Sequence, residues 1–321
     1  MIQSLQKILS KQVRYLVLTH VEPDFDAIGS VLALCHTLEL SGYQAVGVVE
    51  TIPYFMHFLP GIQRLTTEKP PEWQDFEVIA LDAASRERVF KKEWLDIAKQ
   101  VINIDHHQDN PLFGDINWVN TQVSSTSEFL YRLFTKAGLL TDRETILPLY
   151  AGILYDTGGF RYSNTKPDTL LVASQMMVPY PDDIAALSEQ VFSRWNADSF
   201  QALMNTLQRV EYWMNGQVCF SAIPAEINAC LPSLSFEGIV DILRLHYTVR
   251  MVLMIREISP GVIKGSLRSK PPLTVSQFAN AFGGGGHLRA AGFITDRYDL
   301  ETLKTTLFQM VESYFREQRV V

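Results

Sequence analysis

Cysteine is scarce in this chain. Its three thiols, Cys35, Cys219 and Cys230, lie far apart with no Cys-x-x-Cys spacing. That excludes a disulfide framework and a thiolate zinc cluster, and reduced, buried thiols in a cytoplasmic protein are the simplest account. Long apolar runs are missing too. None approaches the roughly twenty residues that cross a bilayer, so no membrane partner is expected. The opening Met1-Ile2-Gln3-Ser4-Leu5-Gln6-Lys7 lacks the basic-then-apolar order of a signal peptide and reads as the start of an amphipathic helix. Clustered positive charge is absent: 28 Lys and Arg stand against 35 Asp and Glu, a net charge of −7. A protein that tracks a long polyanion carries a basic stripe to neutralise phosphates. No long nucleic acid is therefore expected as a partner. A nucleic-acid substrate would have to be short and held by a few placed groups. Internal repeats and low-complexity tracts are absent as well.

What is present is enough apolar residue for true cores, 47% of 321 residues, and a length that suggests about two domains. After a helical stretch over residues 1–12, Arg14 to Thr19 reads as a strand, Ala27 to Leu40 as a helix stopped by Gly42, and Gln44 to Val49 as a second strand. This β-loop-α-β opening implies parallel strands joined by a right-handed crossover. Strands follow at Glu77–Leu81, Val101–Ile104 and Ile116–Val119. A helix starts from Ser125, with Ser125 and Glu128 at capping-box spacing, and Arg143 to Tyr155 reads as another that Pro148 must kink or break. Asn215-Gly216 between two apolar runs marks a hairpin. The expected fold class is α/β: an N-terminal domain with a mainly parallel sheet flanked by helices, then a smaller C-terminal α/β domain, with an active-site cleft between them. The expected boundaries are 1–182 for a metal-binding catalytic domain, 183–210 for a helical linker and 211–321 for a substrate-binding domain.

Chemistry concentrates at the ends of these elements. Asp105-His106-His107 closes the apolar run Val101–Ile104. His20, Asp24 and Asp26 follow the first strand, Asp82 follows Glu77–Leu81, and Asp156 ends a helix. In an open parallel sheet the strand C-termini share one edge, where ligands bind, so these residues are expected to converge. His20, Asp24, Asp26, Asp82, His106 and Asp156 make a hard, mixed oxygen and nitrogen donor set that favours Mn²⁺ or Mg²⁺ over structural zinc. Six ligands suit two ions sharing a carboxylate. The rival reading makes them separate caps and surface acids, with Asp24 a simple helix cap. Four stretches, three of them at strand ends, weigh against coincidence. His106 and His107 point in different directions and should play different roles, with Asp105 orienting a histidine.

A second signal is Gly283-Gly284-Gly285-Gly286-His287, followed by Leu288-Arg289-Ala290-Ala291-Gly292. Consecutive glycines let backbone N–H groups approach an anion, and Arg268 at a strand end upstream is a cation suited to phosphate. A plain flexible loop is the alternative. His36, His57 and the five tryptophans are read as packing residues.

Together these motifs resemble the DHH phosphoesterase superfamily with its associated C-terminal domain, over nearly the whole chain. They are His20-x-x-Pro23-Asp24-x-Asp26-Ala27-x-Gly29-Ser30, Asp82, Asp105-His106-His107, Gly152-x-x-x-Asp156-Thr157-Gly158-x-Phe160-Arg161 and Gly284-Gly285-Gly286-His287-x-x-Ala290-Ala291-Gly292. Within the superfamily the chain is most similar to the nano-RNase and pAp phosphatase group. The resemblance implies two manganese ions, one on His20, Asp24 and Asp82, the other on Asp26, His106, Asp156 and the bridging Asp82. It implies that His107 contacts the scissile phosphate, and that Arg268, Gly284, Gly285, Gly286 and His287 hold the rest of the substrate. The implied activity is hydrolysis of short oligoribonucleotides and of 3′-phosphoadenosine 5′-phosphate by a two-metal-activated hydroxide. A phosphodiesterase of cyclic dinucleotides or their linear products and a RecJ-like single-strand exonuclease are the enzyme rivals. A non-catalytic nucleotide sensor is the rival from another class. The oligomeric state, a homodimer included, stays open. One departure is Phe25, where family members often carry glycine between the two aspartates. It would either narrow the cleft or pack beneath it.

Overall fold

The computed structural model describes residues 12–139, 141–193, 196–229 and 235–317. The helix expected over 1–12, Cys230 and Trp195 lie essentially outside that range. The chain forms two compact units, Met1–Arg194 and Trp195–Val321. That boundary falls within the stretch read as a helical linker.

The first unit is built on a five-stranded parallel sheet of order β2-β1-β3-β4-β5. Its strands are β1 (Arg14–Leu18), β2 (Gln44–Val48), β3 (Glu77–Leu81), β4 (Val101–Asp105) and β5 (Ile116–Val119). Tyr15 to Leu18 and Val78 to Leu81 are buried throughout, because a parallel sheet is covered on both faces and its strands read as continuous apolar runs. One face packs on Trp73, Phe76 and Trp94. Helices close against the first unit: α1 (Phe25–Leu40), α2 (Thr126–Ala137), α3 (Arg143–Asp156), α4 (Pro167–Met177) and α5 (Pro181–Phe192).

The first and third of these helices cross closely. A Cβ on Gly29 would lie 2.2 Å from the Pro148 carbonyl oxygen, and one on Gly152 would lie 2.7 Å from Asp26 Oδ1 and 2.2 Å from Ser127 Oγ of the second helix. Only glycine admits that approach. Pro148 does not break its helix, which runs as one element from Arg143 to Asp156. Phe25 is fully buried and packs among Phe55, Phe58 and Tyr155 at 5.6–6.0 Å between ring centres. Of the two fates open to it, packing beneath the surface is the one observed. His36 is buried and bonded to Asp142, whereas His57 is exposed and does not fit the packing role expected of it.

The second unit carries a six-stranded sheet of order β10-β11-β9-β8-β7-β6. Its strands are β6 (Glu211–Trp213), β7 (Val218–Ile223), β8 (Met251–Ser259), β9 (Val262–Ser269), β10 (Gly285–His287) and β11 (Ala290–Thr295). The Asn215-Gly216 hairpin joins the antiparallel pair β6 and β7, and β7 pairs with β8 in parallel. One face packs on α8 (Ser276–Ala281) and α9 (Leu300–Glu317) through Phe278, Leu303, Leu307 and Val311. Over β7 and β8 the other face is covered by α6 (Ala197–Leu207) and α7 (Ser235–Arg244). No helix among the described residues is long and apolar enough to cross a membrane.

Candidate metal centre

The parallel register puts the ends of β1, β3 and β4 along one edge. His20 lies just past β1 and is nearly buried. Its Nδ1–H donates to the Val21 carbonyl at 2.8 Å, an atom that only accepts, so the lone pair is on Nε2. Nε2 faces Asp24 Oδ1 at 3.9 Å and Asp82 Oδ2 at 3.7 Å. Burial holds this imidazole below its ordinary pKa against the upward pull of Asp24, so the ring is kept neutral, the form that binds a metal.

Asp24 caps the first helix as well, accepting from the N–H groups of Asp26 and Ala27 at 2.9 and 3.0 Å. The capping role and the site role coexist in one carboxylate. Asp26, in the first turn of that helix, is wholly buried. Its two oxygens accept from Thr126 N–H at 2.7 Å and Ser127 N–H at 2.8 Å, the first residues of α2. A helix N-terminus stabilises an anion there. Burial pushes the Asp26 carboxyl up, and the Ser127 and Thr126 hydrogen bonds oppose that rise.

Asp82 stands at the centre. It leaves β3 with φ of 56°, a left-handed conformation that Asp tolerates better than most residues. The turn swings its carboxylate across the sheet edge. Oδ1 lies 3.5 Å from His106 Nε2 and accepts from Thr126 Oγ1 at 2.9 Å, while Oδ2 faces His20. Burial and the charges of Asp26, Asp24, Asp156 and Asp105 push its carboxyl well above the usual range. A divalent cation relieves that repulsion, so the donor chemistry fits a metal.

The Asp-His-His stretch divides its labour. Asp105, the last residue of β4, is fully buried and accepts from His107 Nδ1–H at 2.8 Å and from Asn110 Nδ2 at 2.6 Å. Burial raises its carboxyl, yet the His107 and Asn110 bonds outweigh it and bring the value down to about 2. Burial lowers the His107 imidazole, but the Asp105 hydrogen bond more than reverses this and leaves it raised. His106 turns the other way, its Nε2 3.3 Å from Asp156 Oδ2. Asp156 ends its helix, and its backbone carbonyl accepts from Asn164 Nδ2 at 2.9 Å.

Three sets of ligand atoms thus gather, each within 4.8 Å: His20, Asp24 and Asp82; Asp26, His106 and Asp156; and Asp82, Asp105, His106 and His107. Every expected ligand is brought in. The sequence reading missed their supports: Thr126, Ser127, Asn110 and Asn164. The capping-box spacing at Ser125 located the helix start, but nothing local tied that start to Asp26, 100 residues away.

In the second unit the glycine run differs from the open anion nest expected of it. Gly283 and Gly284 N–H groups bond to the Asn280 and Ala279 carbonyls at the end of α8, and Gly285–His287 forms the edge strand β10. His287 lies opposite Ala290, and Ala290 opposite Arg268. Directly opposed residues share a face, so Arg268 and His287 lie on one face, away from the face where Leu267, Ala291 and Phe293 enter the core.

Comparison with known proteins agrees with this geometry. The family described as "DHH family, N-terminal domain" matches residues 14–155, and the "DHHA1 domain" matches residues 218–317. The bifunctional oligoribonuclease and PAP phosphatase NrnA of Thermus thermophilus is 32% identical over 289 residues, covering 89% of this chain and 85% of that protein. The protein of the same description from Bacillus subtilis is 28% identical, covering 85% and 86%. Among solved structures, an exopolyphosphatase-related protein from Bacteroides fragilis is 25% identical with a TM-score of 0.83, covering 94% and 92%. On these matches the chain belongs to the DHH family of metal-dependent phosphoesterases, alongside the bifunctional oligoribonuclease and PAP phosphatase relatives.

Proposed function

We propose that the protein is a manganese-dependent phosphohydrolase of small nucleotides, acting on short oligoribonucleotides and on 3′-phosphoadenosine 5′-phosphate. The observation that carries this reading is the Asp82 carboxylate. One oxygen faces His20 and the other faces His106, the pose of a ligand shared between two ions. In this reading His20 and Asp24 complete one position and Asp26, His106 and Asp156 the other. Imidazole and carboxylate together suit Mn²⁺, and Mg²⁺ is the second candidate. Two such ions would supply charge stabilisation on the phosphoryl oxygens and activation of the attacking water.

The chain's own residues do the rest. Asp105 orients His107 and favours its protonated form, whose Nε2–H then faces outward to donate to a phosphoryl oxygen or to the leaving oxygen. The supports at Thr126 and Ser127 hold Asp82 and Asp26 in place before substrate arrives. Arg268, Gly284, Gly285, Gly286 and His287 would hold the substrate's other phosphate and its nucleotide. Relatives named as oligoribonuclease and PAP phosphatase support the substrate class.

The test is an Asp82→Asn protein, because Asn keeps both the shape and the tolerance of a left-handed backbone. Manganese bound per chain and turnover of 3′-phosphoadenosine 5′-phosphate are measured together. The wild type should bind two ions and the variant fewer, with turnover reduced about 10³-fold or more. A variant that keeps two ions and full turnover sinks the shared-ligand scheme.

A further inference from the structure

Arg88 is an arginine that the site described above does not use. Its segment is locked beside the metal centre: Val21 N–H donates to the Arg88 carbonyl at 2.8 Å, Phe90 N–H donates to the Thr19 carbonyl at 2.8 Å, and His20 and Val89 form an antiparallel bridge. The side chain is exposed, and its guanidinium makes no hydrogen bond or ion pair among the described residues. Its neighbour Arg86 holds Asp96, and Arg64, Arg132 and Arg143 hold carboxylates likewise. Yet Arg88 stands close enough for its charge to act on both His20 and His107. Those two rings lie on opposite sides of Asp82, beside its Oδ2 and Oδ1 respectively. The Arg88 backbone is therefore held beside the metal centre, with its exposed guanidinium uncommitted to any carboxylate of the cluster.

We infer that Arg88 binds the phosphoryl group undergoing hydrolysis through its non-bridging oxygens. The inference rests on the phosphohydrolase reading above and adds a phosphate-binding residue to it. Guanidinium suits the role because its planar N–H fork matches two phosphate oxygens at once. A metal cluster that has satisfied its own carboxylates leaves the substrate's remaining negative charge to be met by such a group.

The experiment compares wild type, Arg88→Ala, Arg88→Lys and Arg86→Ala, all manganese-loaded. Binding of adenosine 5′-monophosphate is followed by calorimetry, and turnover of a 5′-phosphorylated diribonucleotide is measured in parallel. Arg88→Ala should weaken nucleotide binding about 10- to 100-fold with unchanged metal content and melting temperature. Arg88→Lys should recover part of that loss, and Arg86→Ala should match wild type. Arg88→Ala binding within about twofold of wild type, while wild type turns the diribonucleotide over, overturns the Arg88 inference and leaves the phosphohydrolase reading standing. A wild type that neither binds the nucleotide nor hydrolyses the diribonucleotide defeats that reading, and the inference falls with it.

Discussion

At the scale of single residues, the site works by giving each side chain one orientation. His20 and His107 each spend Nδ1 on a fixed acceptor, Val21 and Asp105, and so each presents Nε2 outward. Asp105→Asn should therefore leave manganese binding nearly intact while lowering kcat about 10²-fold or more, since the neutral amide no longer favours the protonated His107. Parallel measurement of kcat and bound metal checks this, and lost metal with unchanged kcat would contradict it. Most of these residues were legible in the sequence because each stands in a short motif at the end of an apolar run. Their supports were not. Asn110 reaches Asp105 from five residues away, but Asn164 reaches the Asp156 carbonyl and the Ser124 carbonyl across a fold that no local pattern encodes.

At the scale of elements, the crossing of the helices Phe25–Leu40 and Arg143–Asp156 sets the depth of the site. A Cβ on Gly152 would lie 2.7 Å from Asp26 Oδ1, so Gly152→Ala should push that carboxylate off its N–H donors. The expected result is weaker manganese binding and a loss of about 1–3 kcal/mol in stability, read by titration and thermal melting. The helix Thr126–Ala137 is pinned through Glu128, which is buried and accepts from Ser124, Thr169 and Arg132. Glu128→Ala should cost about 3 kcal/mol by leaving those donors unmatched. Burial raises this carboxyl, but the Ser124, Thr169 and Arg132 bonds win and hold it below its ordinary 4.5. A depressed folded pKa contributes stability that is full above the unfolded value and disappears as pH falls through the folded one. The Glu128→Gln protein should therefore lose stability less steeply than wild type below pH 4.5, as acid denaturation curves would reveal. Strand ends and caps were legible because they are local. The glycine run read as an open anion nest because consecutive glycines signal exposed N–H groups, whereas its pairing with Ala290–Gly292 depends on the return of the chain.

At the scale of the whole molecule, net charge bears on the substrate proposed. A net charge of −7 gives no sequence-wide attraction for a long polyanion, so on the proposed function recognition would fall to the metal centre and a few cations. The α/β plan and the second sheet were legible from element order, since alternating strands and helices admit few topologies. The most direct measurement is manganese-dependent turnover by one pure preparation of three substrates: 3′-phosphoadenosine 5′-phosphate, a 5′-phosphorylated diribonucleotide and a long single strand. Rapid hydrolysis of the two small substrates with the long strand nearly untouched is the predicted result. Rapid, processive loss of the long strand, or no turnover of either small substrate, would contradict it.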